Sequence, residues 1–317
     1  MHMAQSGTIL QMTLLSGLLM SFLAGEIFGG TGGLPTVAMT EGILCMAINA
    51  VLVLPLRRKY AFKDENVTLA PMLCAILTLT VPGVLHCTYL LSASILVTVS
   101  MLFSTSFSEK PEKIELFVLS ILALEAAAIF WMPVLWMSVP YLISGLVRAE
   151  DKMKLAASAV IGILAPVAIF LAISYLNDNL NGSLSLLKSA ISSNLLSLPA
   201  DRSIRFTMPS ILKHIVVTTA VAISVFRFIF REKPNVRTLL AARIQMIILL
   251  PSLLAICVAF YGEVGAPSTI LMCSLAAMFT NDYLEGCRNR KQANLYLALF
   301  TVILILERID ILNINPF

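Results

Sequence analysis

Residues 67–104 read VTLAPMLCAILTLTVPGVLHCTYLLSASILVTVSMLFS, without one Asp, Glu, Lys or Arg. Residues 114–147 are almost as apolar and pass through Phe130-Trp131-Met132-Pro133 and Leu135-Trp136. A continuous helix of either length would run to roughly 50 Å at about 1.5 Å per residue. The hydrocarbon core of a bilayer is only about 30 Å thick. Neither run fits a single crossing, and neither is polar enough to stay in water.

The basic residues around these runs resolve the conflict, because cytoplasmic loops of membrane proteins collect Lys and Arg. Arg57, Arg58, Lys59 and Lys63 precede the first run, Lys110 and Lys113 separate the two, and Arg148, Lys152 and Lys154 follow the second. With all three loops on one side, each run crosses an even number of times. Each is therefore expected to be a hairpin of two short spans. The tips fall at Pro82-Gly83 and Trp131-Met132-Pro133, since proline lacks the donor a continuing helix needs.

Composition agrees. The chain has 317 residues, 58% hydrophobic and 13% charged, with mean hydropathy +0.90. Soluble domains carry about 25% charged residues, so a water-soluble enzyme is excluded, as are disordered and disulfide-rich secreted classes. Other span-length apolar runs lie at 9–28, 37–56, 156–176, 210–230, 244–261 and 293–312, with a shorter one at 267–282. The expected fold is all-α: a transmembrane helical bundle of about eleven spans (about nine at the fewest), one integral domain over residues 1–317. Its N-terminus is cytoplasmic, its C-terminus extracytoplasmic, and its place is the bacterial inner membrane. This arrangement puts 17 of the 22 basic residues on the cytoplasmic side. The net charge of +4 follows from that collar and calls for no nucleic acid. Residues 1–8 contain no Lys or Arg, so no cleaved signal peptide is expected.

Cys45, Cys74, Cys87, Cys257 and Cys273 fall within expected spans, there is no C-x-x-C, and His occurs three times. Neither a disulfide framework, a metal nor a cofactor is expected.

The one long polar loop, 177–208, is placed outside. Asn177-Asp178-Asn179 and Asn181-Gly182 supply turn chemistry. Leu184, Leu187, Ile191, Leu195 and Leu198 then recur at spacings of three and four, an amphipathic helix expected to lie in the interface plane. Asp201, Arg202 and Arg205 follow, with Lys213 and His214 just inside the next span. Arginine's planar fork suits phosphate or carboxylate, so Arg202, Arg205, Lys213 and His214 are candidate substrate-binding groups. The plainer reading of the same patch is lipid-headgroup contact.

Carboxylates at membrane depth are functional candidates by default. Glu125 lies in Leu122-Ala123-Leu124-Glu125-Ala126-Ala127-Ala128, where small neighbours allow close packing; it is expected to be protonated or paired with a cation on another helix. Glu26 and Glu41 flank the outer turn Gly29-Gly30-Thr31-Gly32-Gly33-Leu34-Pro35, which lacks the P-loop pattern. With Asp201 they are candidate acid/base groups; His86, beside the first tip and facing the same side, and Glu125 are further candidate substrate-binding groups. Arg308 is expected to contact Glu307 or Asp310 as a helix-end anchor.

From Arg57-Arg58-Lys59 through Pro82, the Phe130 to Trp136 stretch, the Arg148 to Lys154 turn, and Gly162 with Pro166, the chain resembles an uncharacterised family of polytopic inner-membrane proteins from Bacteroidetes. The resemblance spans roughly residues 40–180 and implies localisation and fold, with no catalytic residues attached.

Three functions fit. The first handles a lipid-linked anionic substrate, such as a polyprenyl-phosphate glycosyl donor, at the outer face. It resembles multi-span glycosyltransferases in setting acidic residues just outside its first spans. The second is a secondary transporter or flippase with Glu125 as coupling group. The third is a non-catalytic subunit of an envelope assembly. Expected partners are the lipid bilayer, a polyprenyl-linked substrate and envelope proteins.

Overall fold

A computed structural model describes residues 2–29, 37–59, 69–81, 83–190, 208–230, 251–252, 267–287 and 290–314. The described residues are helical, with no strand among them. Helices α1 (His2–Gly29), α2 (Val37–Lys59) and α3 (Leu69–Leu79) precede a short 3-10 segment, Val84–His86. Then come α4 (Thr88–Glu109), α5 (Ile114–Phe130), a 3-10 segment Met132–Met137, α6 (Ser138–Arg148), α7 (Lys152–Leu176) and α8 (Leu180–Ala190). The last are α9 (Met208–Phe230), α10 (Pro267–Gly286) and α11 (Arg290–Ile314). Four of them are long and apolar enough to cross a membrane: α2, α4, α7 and the Ile211–Phe228 part of α9. Shorter apolar helices cover Met12–Ile27, Leu69–Leu79 and Met132–Arg148.

Both apolar runs break where proline was expected to break them, around Pro82 and at Trp131-Met132-Pro133. The first does not divide into matched limbs. Its eleven-residue α3 reaches only about 16 Å, half a bilayer, whereas the 22 residues of α4 reach about 33 Å. Two further readings need correcting. Asn181-Gly182 does not stop α7; the chain turns at Asn177–Asn179, with Asp178 at φ 54°, a left-handed conformation that Asp tolerates. Both residues lie inside α8, which starts earlier than the leucine spacing implied and is described only to Ala190. The expected span at 244–261 lies outside the described residues except for 251–252.

The chain forms two compact units, with α4 and α10 running through the division. In the first unit (residues 1–91, 204–232 and 272–317) α3 packs on α1 and α2, and α9 packs along α11. The buried residues of α2 include Met39, Gly42, Met46, Asn49, Val53 and Leu56, alternating steps of three and four that put one stripe inward. Gly42 carries the closest approach: a Cβ there would overlap the carbonyl oxygen of Leu85. Within α10, Cys273, Ser274, Leu275, Ala277, Met278, Phe279, Thr280 and Asn281 are all buried. A helix buried on all sides belongs in a core.

In the second unit (92–203 and 233–271) α5 packs on α7, on the 132–137 segment and on α6. Hydroxyls tie α4 into it: Ser100 donates to the Ser120 carbonyl at 2.7 Å and Ser94 to the Ile270 carbonyl at 2.8 Å. Asp151 caps α7 by accepting from the Lys154 amide at 3.0 Å. Only 11% of the apolar window of α7 is buried, leaving Val160, Ile161, Leu164, Ile169 and Ile173 outward. Such a face suits lipid rather than water.

Candidate functional site

The first unit carries ionisable groups at two levels. At one, the turn between α3 and the Val84–His86 segment draws charged side chains from three helices. Gly83 takes a positive φ of 66°, which costs glycine nothing, and its N–H donates to Glu26 Oε2 of α1 at 3.1 Å. Lys213 Nζ, near the start of α9, donates to Thr80 Oγ1 at 3.3 Å and to Glu307 Oε1 of α11 at 2.7 Å. Lys213, Glu307, Glu26 and Thr80 are all buried. Glu41 precedes the Gly42 contact with Leu85, and His86 ends the same 3-10 segment; both are exposed.

Expected site residues therefore gather here only in part. Glu26 and Lys213 meet one turn, with Glu41 and His86 on its rim. His214, next to Lys213, is half-buried. Asp201, Arg202 and Arg205 lie outside the described residues, so the catalytic role expected of Asp201 and the clamp expected of the arginines have no described geometry. Glu307, one of the two partners expected for Arg308, pairs with Lys213 on another helix, the kind of cation a buried carboxylate needs. The side chains of Arg308 and Asp310 are outside the described set.

At the other level, Arg57 Nη2 of α2 donates to Glu285 Oε2 of α10 at 3.0 Å, with Arg57 fully buried. Asn281 Nδ2 donates to Glu285 Oε1 at 3.0 Å, Ser224 of α9 donates to Asp282, and Arg227 lies 5.6 Å over the Tyr283 ring. Between the levels, Asn49 Nδ2 donates to Cys273 Sγ at 3.2 Å, and Cys74 Sγ lies 3.6 Å from Cys273 Sγ. The sequence reading missed this cluster. Its available signal was Asn281, Asp282 and Glu285 within five residues of an apolar run, with Asn281 and Glu285 one turn apart.

In the second unit Glu125 stands apart. It is 7% exposed, and neither carboxyl oxygen has a hydrogen-bond partner among the described residues. A cation on another helix, one of its two expected environments, is not found there. It lies about 16 Å along α5 from Ile114 and about 9 Å before Trp131. Nearby, Ile121 Cγ2 would lie 3.3 Å from a Cβ on Gly162 of α7, and α7 contains Pro166. Among the described residues, no group of three or more His, Cys, Asp or Glu could hold a metal.

No family model, curated protein or solved structure matches this chain.

Proposed function

We propose that this chain is a proton-coupled secondary transporter of the bacterial inner membrane, of about eleven spans, with a cytoplasmic N-terminus and an extracytoplasmic C-terminus. One observation carries the reading. Of the buried carboxyl side chains among the described residues, Glu26 accepts from Gly83, Glu285 pairs with Arg57 and Glu307 pairs with Lys213, while Glu125 has no hydrogen-bond partner. A buried carboxylate without donors is held at a large electrostatic penalty. A neutral acid at the same place is tolerated, and it can release its proton when the surroundings change. Interrupted helices flank it: α5 ends into a 3-10 segment, and α7 carries an internal proline.

Everted vesicles energised by respiration test this with a dye that reports ΔpH. Adding pooled small metabolites to vesicles rich in the wild-type protein is expected to dissipate ΔpH. Glu125→Gln is expected to slow that flux at least about a hundredfold, the low end of what losing a proton-transfer group does. Equal rates in both preparations would end the proposal.

A second reading, handling of a lipid-linked anionic glycan-type substrate at the outer face, draws support from α8. This helix exposes Leu184 beside Lys188, a surface suited to an amphipathic ligand. Glu26, Glu41 and Asp201 would then supply acid/base groups, and Arg202, Arg205, Lys213 and His214 the anion contacts. Mass spectrometry of a deletion strain is expected to find an accumulated polyprenyl-linked intermediate under this reading. An unchanged lipid-linked pool would discard it.

A further inference from the structure

We infer that the Glu125 site binds its proton between two groups, the carboxyl of Glu125 and the backbone carbonyl oxygen of Gly162, which Pro166 has freed from its helical partner. The inference rests on the reading of Glu125 as the coupling group and specifies what holds the proton there.

Three observations converge. The first is the register of α5 and α7. A Cβ on Gly145 of α6 would lie 2.7 Å from Phe117 Cε2 and 3.1 Å from Leu155 Cδ2, so the starts of α5 and α7 meet at one level. Further along both helices, Ile121 meets Gly162. The two helices therefore advance in the same direction. One turn beyond that contact they reach Glu125 and Pro166 together.

The second is a missing donor in α7. In an α-helix the carbonyl of residue 162 accepts from the N–H of residue 166. Residue 166 is proline and has none. In a hydrocarbon layer a released carbonyl must find another donor, commonly from a neighbouring helix. The third is Glu125 itself, whose two oxygens accept from nothing described. A protonated carboxyl is a donor. It needs an acceptor, and α7 has one to spare at the same level. Each group supplies what the other lacks.

Charged groups on the surrounding elements lie away from this level. The described titratable side chains are Glu115 on α5, the exposed Tyr89 and Glu109 on α4, Tyr141 and Arg148 on α6, and Lys152, Lys154 and Tyr175 on α7; the 132–137 segment has none. Arg148 donates to the Ser108 carbonyl at 3.2 Å, at the end where α5 and α7 begin. Glu109, Glu115, Lys152 and Lys154 belong to that end too. Tyr175 lies more than two turns past Pro166 and is exposed, and Tyr141 is a neutral phenol.

Infrared difference spectroscopy of the purified full-length protein in lipid tests the inference through the carbonyl stretch of a protonated carboxylic acid. At neutral pH the wild type is expected to show this band, and Glu125→Gln to lose it. Pro166→Ala and Pro166→Gly each return an N–H to the Gly162 carbonyl, and either is expected to move the band to higher frequency as the carboxyl loses its acceptor. Pro55→Ala, which repairs the corresponding gap in α2, is expected to leave it in place. No band in the folded wild type, or an unmoved band in a folded Pro166 variant, overturns the shared proton. Loss of the vesicle flux in Glu125→Gln alongside an unmoved Pro166 band would leave the transport reading standing and this one refuted. A band that shifts as expected while Glu125→Gln retains full flux would do the reverse.

Discussion

Gly42→Ala is expected to remove the folded protein from the membrane fraction almost completely. In a helix interior alanine normally gains about 1 kcal/mol over glycine, so an unconstrained site would be stabilised. Gly42 is constrained by backbone. A Cβ would overlap the Leu85 carbonyl oxygen and lie 2.8 Å from both its carbonyl carbon and its Cα. A side chain in the way could rotate, but a main-chain carbonyl in a 3-10 segment buried at Val84 and Leu85 cannot. Relief would require α2 to part from that segment. Overpacking of ordinary core positions costs about 1–3 kcal/mol, and a backbone clash belongs at or above the top of that range. Gly17→Ala is the control, because nothing lies within 4 Å of its Cβ. It is expected to match or slightly exceed wild type. Fluorescence-detected gel filtration of a fused reporter, followed by melting in detergent, measures both; wild-type melting of Gly42→Ala would refute the close approach.

Lys213→Met is the second large effect. The variant strands Glu307 with no cation, and removing one member of a buried pair costs about 3–5 kcal/mol. Glu307 has no second support: its other oxygen, Oε2, is buried without a partner among the described residues. The double variant Lys213→Met with Glu307→Leu removes both charges and is expected to recover most of the loss, because well-packed apolar replacements of a buried pair are often neutral. Thermal melting in detergent should therefore rank wild type and the double variant close together, with Lys213→Met far below. Three equal melting points would show that the pair carries no energy, and a double variant as unstable as the single would point to packing instead of charge.

Much of the architecture was legible because lipid imposes a simple rule on sequence. Apolar runs mark helices, and Pro82 and Pro133 mark where they stop; α3 ends at Leu79 and α5 at Phe130, each three residues before its proline. The length of α3 was not legible, since Leu69–Leu79 is as apolar as the residues that continue α4. Partnership was harder still. Lys213 and Glu307 are 94 residues apart, and Arg57 and Glu285 are 228 apart. Nothing local records which basic residue faces which acid, so Arg57 read as one member of a loop collar. Glu125 could be singled out, because an acid among alanines and leucines is conspicuous at any register. Its lack of a hydrogen-bond partner required the packing.

The Arg57–Glu285 separation also bears on biogenesis. A ribosome delivers α2 long before α10, so Arg57 and Asn49 enter the bilayer while Glu285, Cys273 and Ser274 are still untranslated. During that interval Arg57 Nη2 and Asn49 Nδ2 lack the acceptors on α10 that they reach in the folded chain. Those two contacts form only when residues 267–317, about the last sixth of the polypeptide, emerge. Chains that stall before α10 would leave α2 without its contacts to Glu285 and Cys273.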